Sequence, residues 1–482
     1  MYPLNGYACF ANLIGSGHAL LKNRLLEHIQ TNFEKHGRPG APHVIEGAPT
    51  GMRRYIVTRD PEHIKTVLTG QFADFGKGKF FHDTWSPFLG DSIFTTDGKL
   101  WSNSRTLLRP MFAKNRVRDL EIFEDHVQKL IGLLPEPGQK VEIMDLFFRM
   151  TIDVTTEFLL GTPIHSLENP KTDFVSAFAE AQRMQMLMTC LGPLWRTCPR
   201  GSYNRSLKVI NEFIWPFVHK TLNLPEEELH KLSRSEKQFS FLHSLALYTR
   251  DPKVIRDQVI AVLLAGRDTT ASTLSWAFYE LSNNPKAWAR LRAEVLDTIG
   301  DTRSPSFEDL HNMKYLRAVV DETLRLYPAV PFNIRFALTD TTLPTGGGAD
   351  GDEPISVCKD DAIIYSTLAM QRRKDLYPPV SETFADPLVF SPERWENWSP
   401  KPWQYIPFNG GPRICIGQNF ALAETRFCIA RLAQRYESLR YVGDWSRQEY
   451  KTEVVGAPAF GVPVAFGKIN PAQAAENLSE KQ

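Results

Sequence analysis

Phe408-Asn-Gly-Gly-Pro-Arg-Ile-Cys-Ile-Gly417 is the stretch on which the reading of this 482-residue chain turns. It holds one cysteine, Cys415, between glycines, with Arg413 two residues before it and an apolar helical run, Gln418 to Leu432, after it. Glycines at 410, 411 and 417 permit turns that a Cβ would obstruct. A thiolate at Cys415 would be wrapped in backbone and could accept N–H hydrogen bonds that stabilise the anion. Arg413 is placed to neutralise a nearby anion. One cysteine as sole protein ligand beside a cation suits a haem iron with its propionates better than zinc. A buried structural cysteine on a tight turn would satisfy the same ten residues taken alone.

The hydrophobic fraction of 42% is enough for a sizeable core, so the chain is neither disordered nor fibrous. A net charge of +1 gives no support for nucleic-acid binding. The six cysteines show no C-x-x-C spacing, which argues against structural zinc and a disulfide scaffold. Met1 to Leu21 lacks Lys, Arg, Asp and Glu but is too polar to read as a spanning helix, and it lacks the order of a signal peptide.

Helical periodicity dominates. Strand-like runs are few: Tyr55 to Thr58, Ile334 to Ala337, Ile355 to Val357, Ala362 to Tyr365 and Val462 to Phe466. Pro- and Gly-rich breaks at 37–49, 135–138 and 344–352 punctuate one domain rather than separate several. The last, Pro344-Thr-Gly-Gly-Gly-Ala-Asp-Gly-Asp352, reads as an exposed loop between strands. The expected fold class is mainly α with a small β-sheet region. The expected organisation is an N-terminal segment 1–39 with a possible membrane contact, one catalytic domain 40–466 and a polar tail 467–482.

Asp251-Pro252 is a strong helix start, and Pro285 stops the pattern after Asn284. Between Asp257 and Glu280 this helix carries only two charges, Arg267 and Asp268. Buried charges are costly unless paired or used. Gly266 beside them weakens the helix by about 1 kcal/mol relative to Ala. Two readings stand. One is a kinked core helix whose threonines bond back to their own carbonyls. The other is a helix opened locally into a groove for water and an oxygen ligand.

The pattern at Phe408, Gly411, Arg413, Cys415 and Gly417 resembles the haem-binding loop of the cytochrome P-450 monooxygenase family, and Ala265-Gly-Arg-Asp-Thr-Thr270 resembles that family's oxygen-site motif. The resemblance runs from about residue 40 to 466. It is most like the fungal alkane and fatty-acid hydroxylase branch. It implies a triangular helical prism, with haem b between the long central helix and the Cys loop. Cys415 would ligate the iron, with the residues of the loop pattern and Ala265 shaping the haem site. Asp268 would relay protons and Thr269 would hold the oxygen ligand. Trp101 and Arg105, in Trp-x-x-x-Arg, and Arg335 would join Arg413 on the haem propionates, where Arg suits carboxylate geometry. Glu322, Arg325 and Arg394 would form a structural triad.

The implied partners are NADPH–cytochrome P-450 reductase, with cytochrome b5 as a further donor, an apolar small molecule, and the cytosolic face of the endoplasmic reticulum membrane through a peripheral or anchored contact. Lys114, Arg116 and Arg118 offer a basic cluster for docking the reductase. The resemblance also places five largely apolar segments over the haem: Phe75 to Phe94, Met184 to Trp195, Val262 to Thr269, Ala329 to Phe332 and Val455 to Phe460. Lys77, Lys79 and Arg183 could meet a substrate carboxylate. The expected reaction is oxygen insertion into an apolar molecule, at or near the end of a long alkane or fatty-acid chain. Oxidation of a terpenoid or polyketide is the alternative. A reductase-independent isomerase or dehydratase and a non-catalytic haem protein fit less well, since neither needs Asp268 and Thr269.

Overall fold

The computed structural model describes residues 15, 17–20, 22–37, 40–48, 53–112, 117–170, 172–233 and 240–468. Most of Met1 to Leu21, the tail beyond Lys468, Lys114 and Arg116 lie outside these residues, as does the side chain of Arg118. The expected membrane contact and reductase-docking cluster therefore fall outside what is described.

A five-stranded sheet lies at one side. Its strands are β1 (Val44–Gly47), β2 (Tyr55–Thr58), β3 (Phe75–Gly76), β4 (Phe332–Ala337) and β5 (Ala362–Ser366), in the order β1-β2-β5-β4-β3. Only β2 and β5 run parallel; the other pairs are antiparallel. Smaller sheets pair Thr341–Gly347 with Glu353–Val357, and Pro463–Phe466 with both Val141–Glu142 and Leu439–Tyr441.

Helices make up the rest. Those that position the site are α1 (Gly78–Leu89), α2 (Gly98–Phe112), α3 (Ile143–Leu160), α4 (Asp173–Cys190), α5 (Pro252–Asn283), α6 (Lys314–Leu326) and α7 (Gln418–Arg435). Helix α5 runs 32 residues, about 48 Å at 1.5 Å per residue. The Asp251 side chain caps it by accepting from Lys253 N and Val254 N. Asn284 then caps the next helix, which Pro285 opens. Helix α5 is buried on nearly every side, so its apolar run has no polar face to turn outward. One large core cluster joins α5, α6 and α7, and a second joins α1, α4 and the first half of α5.

Three expectations change. Pro344 to Gly347 belongs to a strand, with a register irregularity between Leu343 and Gly347, so the loop shrinks to its tip. The break at 37–49 contains β1, fully buried against β2. Helix Leu25–His36, assigned to the N-terminal segment, puts Leu26 into the large core cluster and Phe33 under the Arg59 guanidinium. Among the described residues no helix is long and apolar enough to cross a membrane.

Candidate active site

The Cys loop is built by backbone bonds. Cys415 N–H donates to Phe408 O at 2.9 Å and Ile414 N–H to Gly411 O at 3.0 Å. Gly411 has φ +65°, and a Cβ there would lie 2.0 Å from Leu68 O, so the loop rests directly on the 66–70 turn. Gly417 differs from the sequence expectation. Its φ of −92° suits any residue, and a Cβ would make ordinary contact with Phe112. The Cys415 thiol is deeply surrounded yet accessible, so it faces an internal recess rather than packed side chains. Burial pushes its pKa up, and the Gly417 N–H and Arg105 pull against that. Coordination to a metal deprotonates a thiol outright.

Beside the loop stands a surplus of positive charge. Arg413 donates to Thr96 O at 2.8 Å and to Asp97 at 2.6 Å, and stacks 4.6 Å over the Trp101 ring. Arg335, on β4, is 2% exposed and bonds Asn333 Oδ1 at 2.8 Å. Lys77 is also buried, with its ammonium 3.3 Å from Asn333 Oδ1 and 4.3 Å over the Phe81 ring. Among the described residues, Asp97 is the carboxylate acting on both Lys77 and Arg413. Burial, then the neighbouring arginines, drive the Lys77 pKa well below its ordinary value. Burial, then Arg335, lowers Arg413 to about 10. The buried Arg413 Nε has no hydrogen-bond partner among the described residues. Such a cluster fits a group bearing two carboxylates, and with Cys415 beside it the residues fit haem.

Lys77 was read as a cation that could meet a substrate carboxylate; the structure puts it in this cluster. Arg105 was expected on a propionate. One nitrogen of its guanidinium donates to Ile414 O at 2.9 Å, beside Cys415, and its other donors remain available for that role. Lys77→Met is expected to loosen haem about tenfold or more, since a bond to a charged group contributes roughly 1.5–3 kcal/mol. Haem transfer to an acceptor protein measures this.

On α5, Arg267, Asp268 and Thr270 are buried, while Val262, Ala265, Gly266 and Thr269 are partly accessible. Their spacing puts those four on one stripe of the helix. The helix is continuous here rather than opened: Thr269 donates to Ala265 O at 2.7 Å, back-bonding as the first of the two readings expects. The hydroxyl keeps lone pairs free to accept a further hydrogen bond. Gly266 has a packing reason, because a Cβ would come 2.9 Å from Thr155 Oγ1 on α3. Asp268 lies 3.3 Å from Arg267 Nε, and the Arg267 guanidinium lies 5.8 Å from the Phe178 ring centre.

Glu322, Arg325 and Arg394 meet as expected, all with side chains out of solvent. Arg325 grips Glu322 with two bonds, 2.7 and 2.9 Å, and Arg394 Nε adds a third at 3.2 Å. Desolvation works against the Glu322 carboxylate, but the two arginines outweigh it and its pKa falls.

The apolar segments converge in part. Phe81, Trp85, Phe88, Met184, Met188, Trp195, Leu263 and Leu264 share one cluster, with Phe80 and Val262 packed against it. Gly456 joins the segment at Ala329 through a backbone bond of 2.9 Å, and Phe460 is 58% exposed. The other two cations proposed for a substrate carboxylate are engaged: Lys79 with Asp83 at 2.8 Å, and Arg183 with Glu180 through two bonds of 2.8 and 2.9 Å.

The chain matches the family model described as cytochrome P450 over residues 7–457. It is similar to cytochrome P450 monooxygenase pvhE of Talaromyces variabilis, 47% identical over 433 residues, 86% of this chain and 80% of that one. It is also similar to cytochrome P450 52A1 of Candida tropicalis, 42% identical over 406 residues, 80% of this chain and 73% of that one. Among solved structures, the cytochrome P450DA heme domain matches with a TM-score of 0.76 over 95% of each chain. At 20% identity, that likeness speaks to the fold alone.

Proposed function

The chain belongs to the cytochrome P450 family of haem monooxygenases, and on that premise we propose that it oxidises a long aliphatic chain at or near its end. Haem b, when bound, supplies the activation of dioxygen, with electrons from NADPH through a redox partner. In this reading Cys415 Sγ holds the iron. Trp101, Arg105, Arg335, Arg413 and Lys77 would hold the haem carboxylates, and Phe408, Gly411, Gly417 and Ala265 would shape its site. Asp268 relays a proton from solvent, and the Thr269 hydroxyl positions the proton's acceptor. The reductase is NADPH–cytochrome P450 reductase, assisted by cytochrome b5, at the cytosolic face of the endoplasmic reticulum.

The engaged cations carry the substrate reading. With Lys77 buried in the cation cluster, and Lys79 and Arg183 paired at the surface with Asp83 and Glu180, binding falls to the apolar walls. Each buried methylene contributes about 0.8 kcal/mol, so a long chain binds well without a charged anchor. Phe332 and the Ala265 wall form the constriction that holds the chain end-on. Incubation with dodecane or lauric acid, reductase and NADPH is expected to give terminal alcohols. Failure to bind either, alongside turnover of a polycyclic compound, overturns the reading.

A second reading has one observation in its favour. The relative at 47% identity carries a name outside the 52A group, seven members of which are 39–42% identical to this chain. It would make the substrate a specialised metabolite, a terpenoid or polyketide.

Thr269→Ala is expected to bind haem and substrate normally but divert reducing equivalents to peroxide. A tenfold slower proton-dependent step corresponds to about 1.4 kcal/mol. Peroxide formed per NADPH is the measurement; unchanged coupling contradicts the assignment.

A further inference from the structure

Six aromatic rings, each bearing a hydroxyl or an indole nitrogen, adjoin one another around the second half of α5. Trp276 stands at their centre, 2% exposed. Tyr327 stacks on it, with ring centres 4.0 Å apart and planes within 1°. Tyr450 lies at 5.4 Å from it, and Tyr279 meets it edge-on at 5.5 Å. Tyr279 in turn stacks 4.9 Å from Trp445 and lies 5.7 Å from Tyr441, and those two are partly exposed. Trp276 is seven positions beyond Thr269. It therefore continues the accessible stripe of α5, about 10.5 Å further along the helix.

The hydrogen bonds set these rings apart. The buried Trp276 indole N–H has no partner among the described residues. Tyr279 and Tyr450 donate to backbone carbonyls, Trp445 O at 2.9 Å and Pro328 O at 3.0 Å. Tyr327 donates instead to a carboxylate, Glu280 Oε1 at 2.5 Å. Burial raises the Glu280 carboxyl to about 7, against the pull of its Tyr327 bond and of Arg372. Such a carboxylate accepts a proton more readily than an exposed one, whereas a carbonyl is too weak a base to take one.

We propose that these rings are an electron conduit that rescues the haem when peroxide oxidises it with no substrate in the recess, and that the missing electron comes to rest at Tyr327 beside Glu280. Trp276 gives one electron to the oxidised haem. With no acceptor for its N–H proton it does not settle as a neutral radical, so it takes an electron from Tyr327. The Tyr327 O–H bond breaks as its proton passes to Glu280, leaving a neutral tyrosyl radical beside a protonated acid. A one-electron reductant at the surface, of the ascorbate class, then returns an electron through Trp445, Tyr279 and Trp276, and Glu280 returns the proton. The haem has gained one electron, the reductant has lost one, and the rings are unchanged. This rests on haem beside Cys415 and not on which substrate is oxidised.

The test uses substrate-free holoprotein mixed with hydrogen peroxide and frozen for electron paramagnetic resonance. The parent is expected to show a tyrosyl radical. Tyr327→Phe should abolish it, and Glu280→Gln should lower its yield about tenfold, because the amide takes no proton. In peroxide, Trp276→Phe and Tyr327→Phe should bleach their haem about tenfold faster than the parent. Ascorbate should slow bleaching of the parent but not of Trp276→Phe. All three variants should retain the thiolate signature of the carbon-monoxide complex. A parent without a protein radical overturns the proposal, as does an undiminished radical in Tyr327→Phe or Glu280→Gln. So does bleaching at the parental rate in Trp276→Phe and Tyr327→Phe, which leaves the rings as core packing. A parent protein without the thiolate signature would sink the haem reading instead, so the two failures are distinct.

Discussion

Cys415→Ala is expected to abolish the thiolate signature of the reduced carbon-monoxide complex, and with it all NADPH-dependent oxidation. The loop itself should survive, because Cys415 enters it through a backbone bond to Phe408 O that alanine keeps. Of the other described cysteines, Cys428 is 0% exposed within the core cluster, with burial holding its thiol protonated, so it cannot move in as a ligand. The cation cluster around Arg413 remains in the variant, so some haem can still associate, but without the sulfur that tunes it. Absorbance of the reduced carbon-monoxide complex, with circular dichroism to check the fold, is the measurement. A variant that keeps the thiolate signature contradicts the assignment.

The second large effect is expected at Glu322. Its carboxylate accepts from Arg325, Arg394, the Trp395 indole at 3.0 Å and Ser391 N–H at 3.0 Å. Removing it in Glu322→Ala leaves two arginines buried without their anion. Breaking a buried pair in this way costs about 3–5 kcal/mol, a large share of the roughly 5–15 kcal/mol by which domains are stable. Denaturant unfolding should show the loss. Glu322→Gln should also be destabilised, because it keeps the shape but not the charge. A change below about 1 kcal/mol in the alanine variant would mean that the triad does not support the fold.

Local chemistry explains what could be read from the chain. The ends of α5 are written in Asp251-Pro252 and Pro285, because capping and proline act within one turn. The Cys loop is legible because its residues are contiguous. The spacing of Glu322 and Arg325 predicts the pair but not its burial, which comes from Arg394 and Trp395 more than seventy positions away. Lys77 and Glu280 look like solvated charges, and only tertiary packing reveals them as buried. Lys79 and Arg183 show the reverse: Asp83 and Glu180 lie four and three positions away, the helical spacing at which such pairs form. Edge strands such as β1 are hidden by flanking glycine and proline, and their pairing is long-range.

Turnover of dodecane under isotopically labelled dioxygen, with reductase and NADPH, tests the central claim most directly. The account predicts 1-dodecanol carrying one labelled oxygen atom, no product without reductase, and none from the Cys415→Ala variant. Product formed without label, or without the reductase, would contradict it.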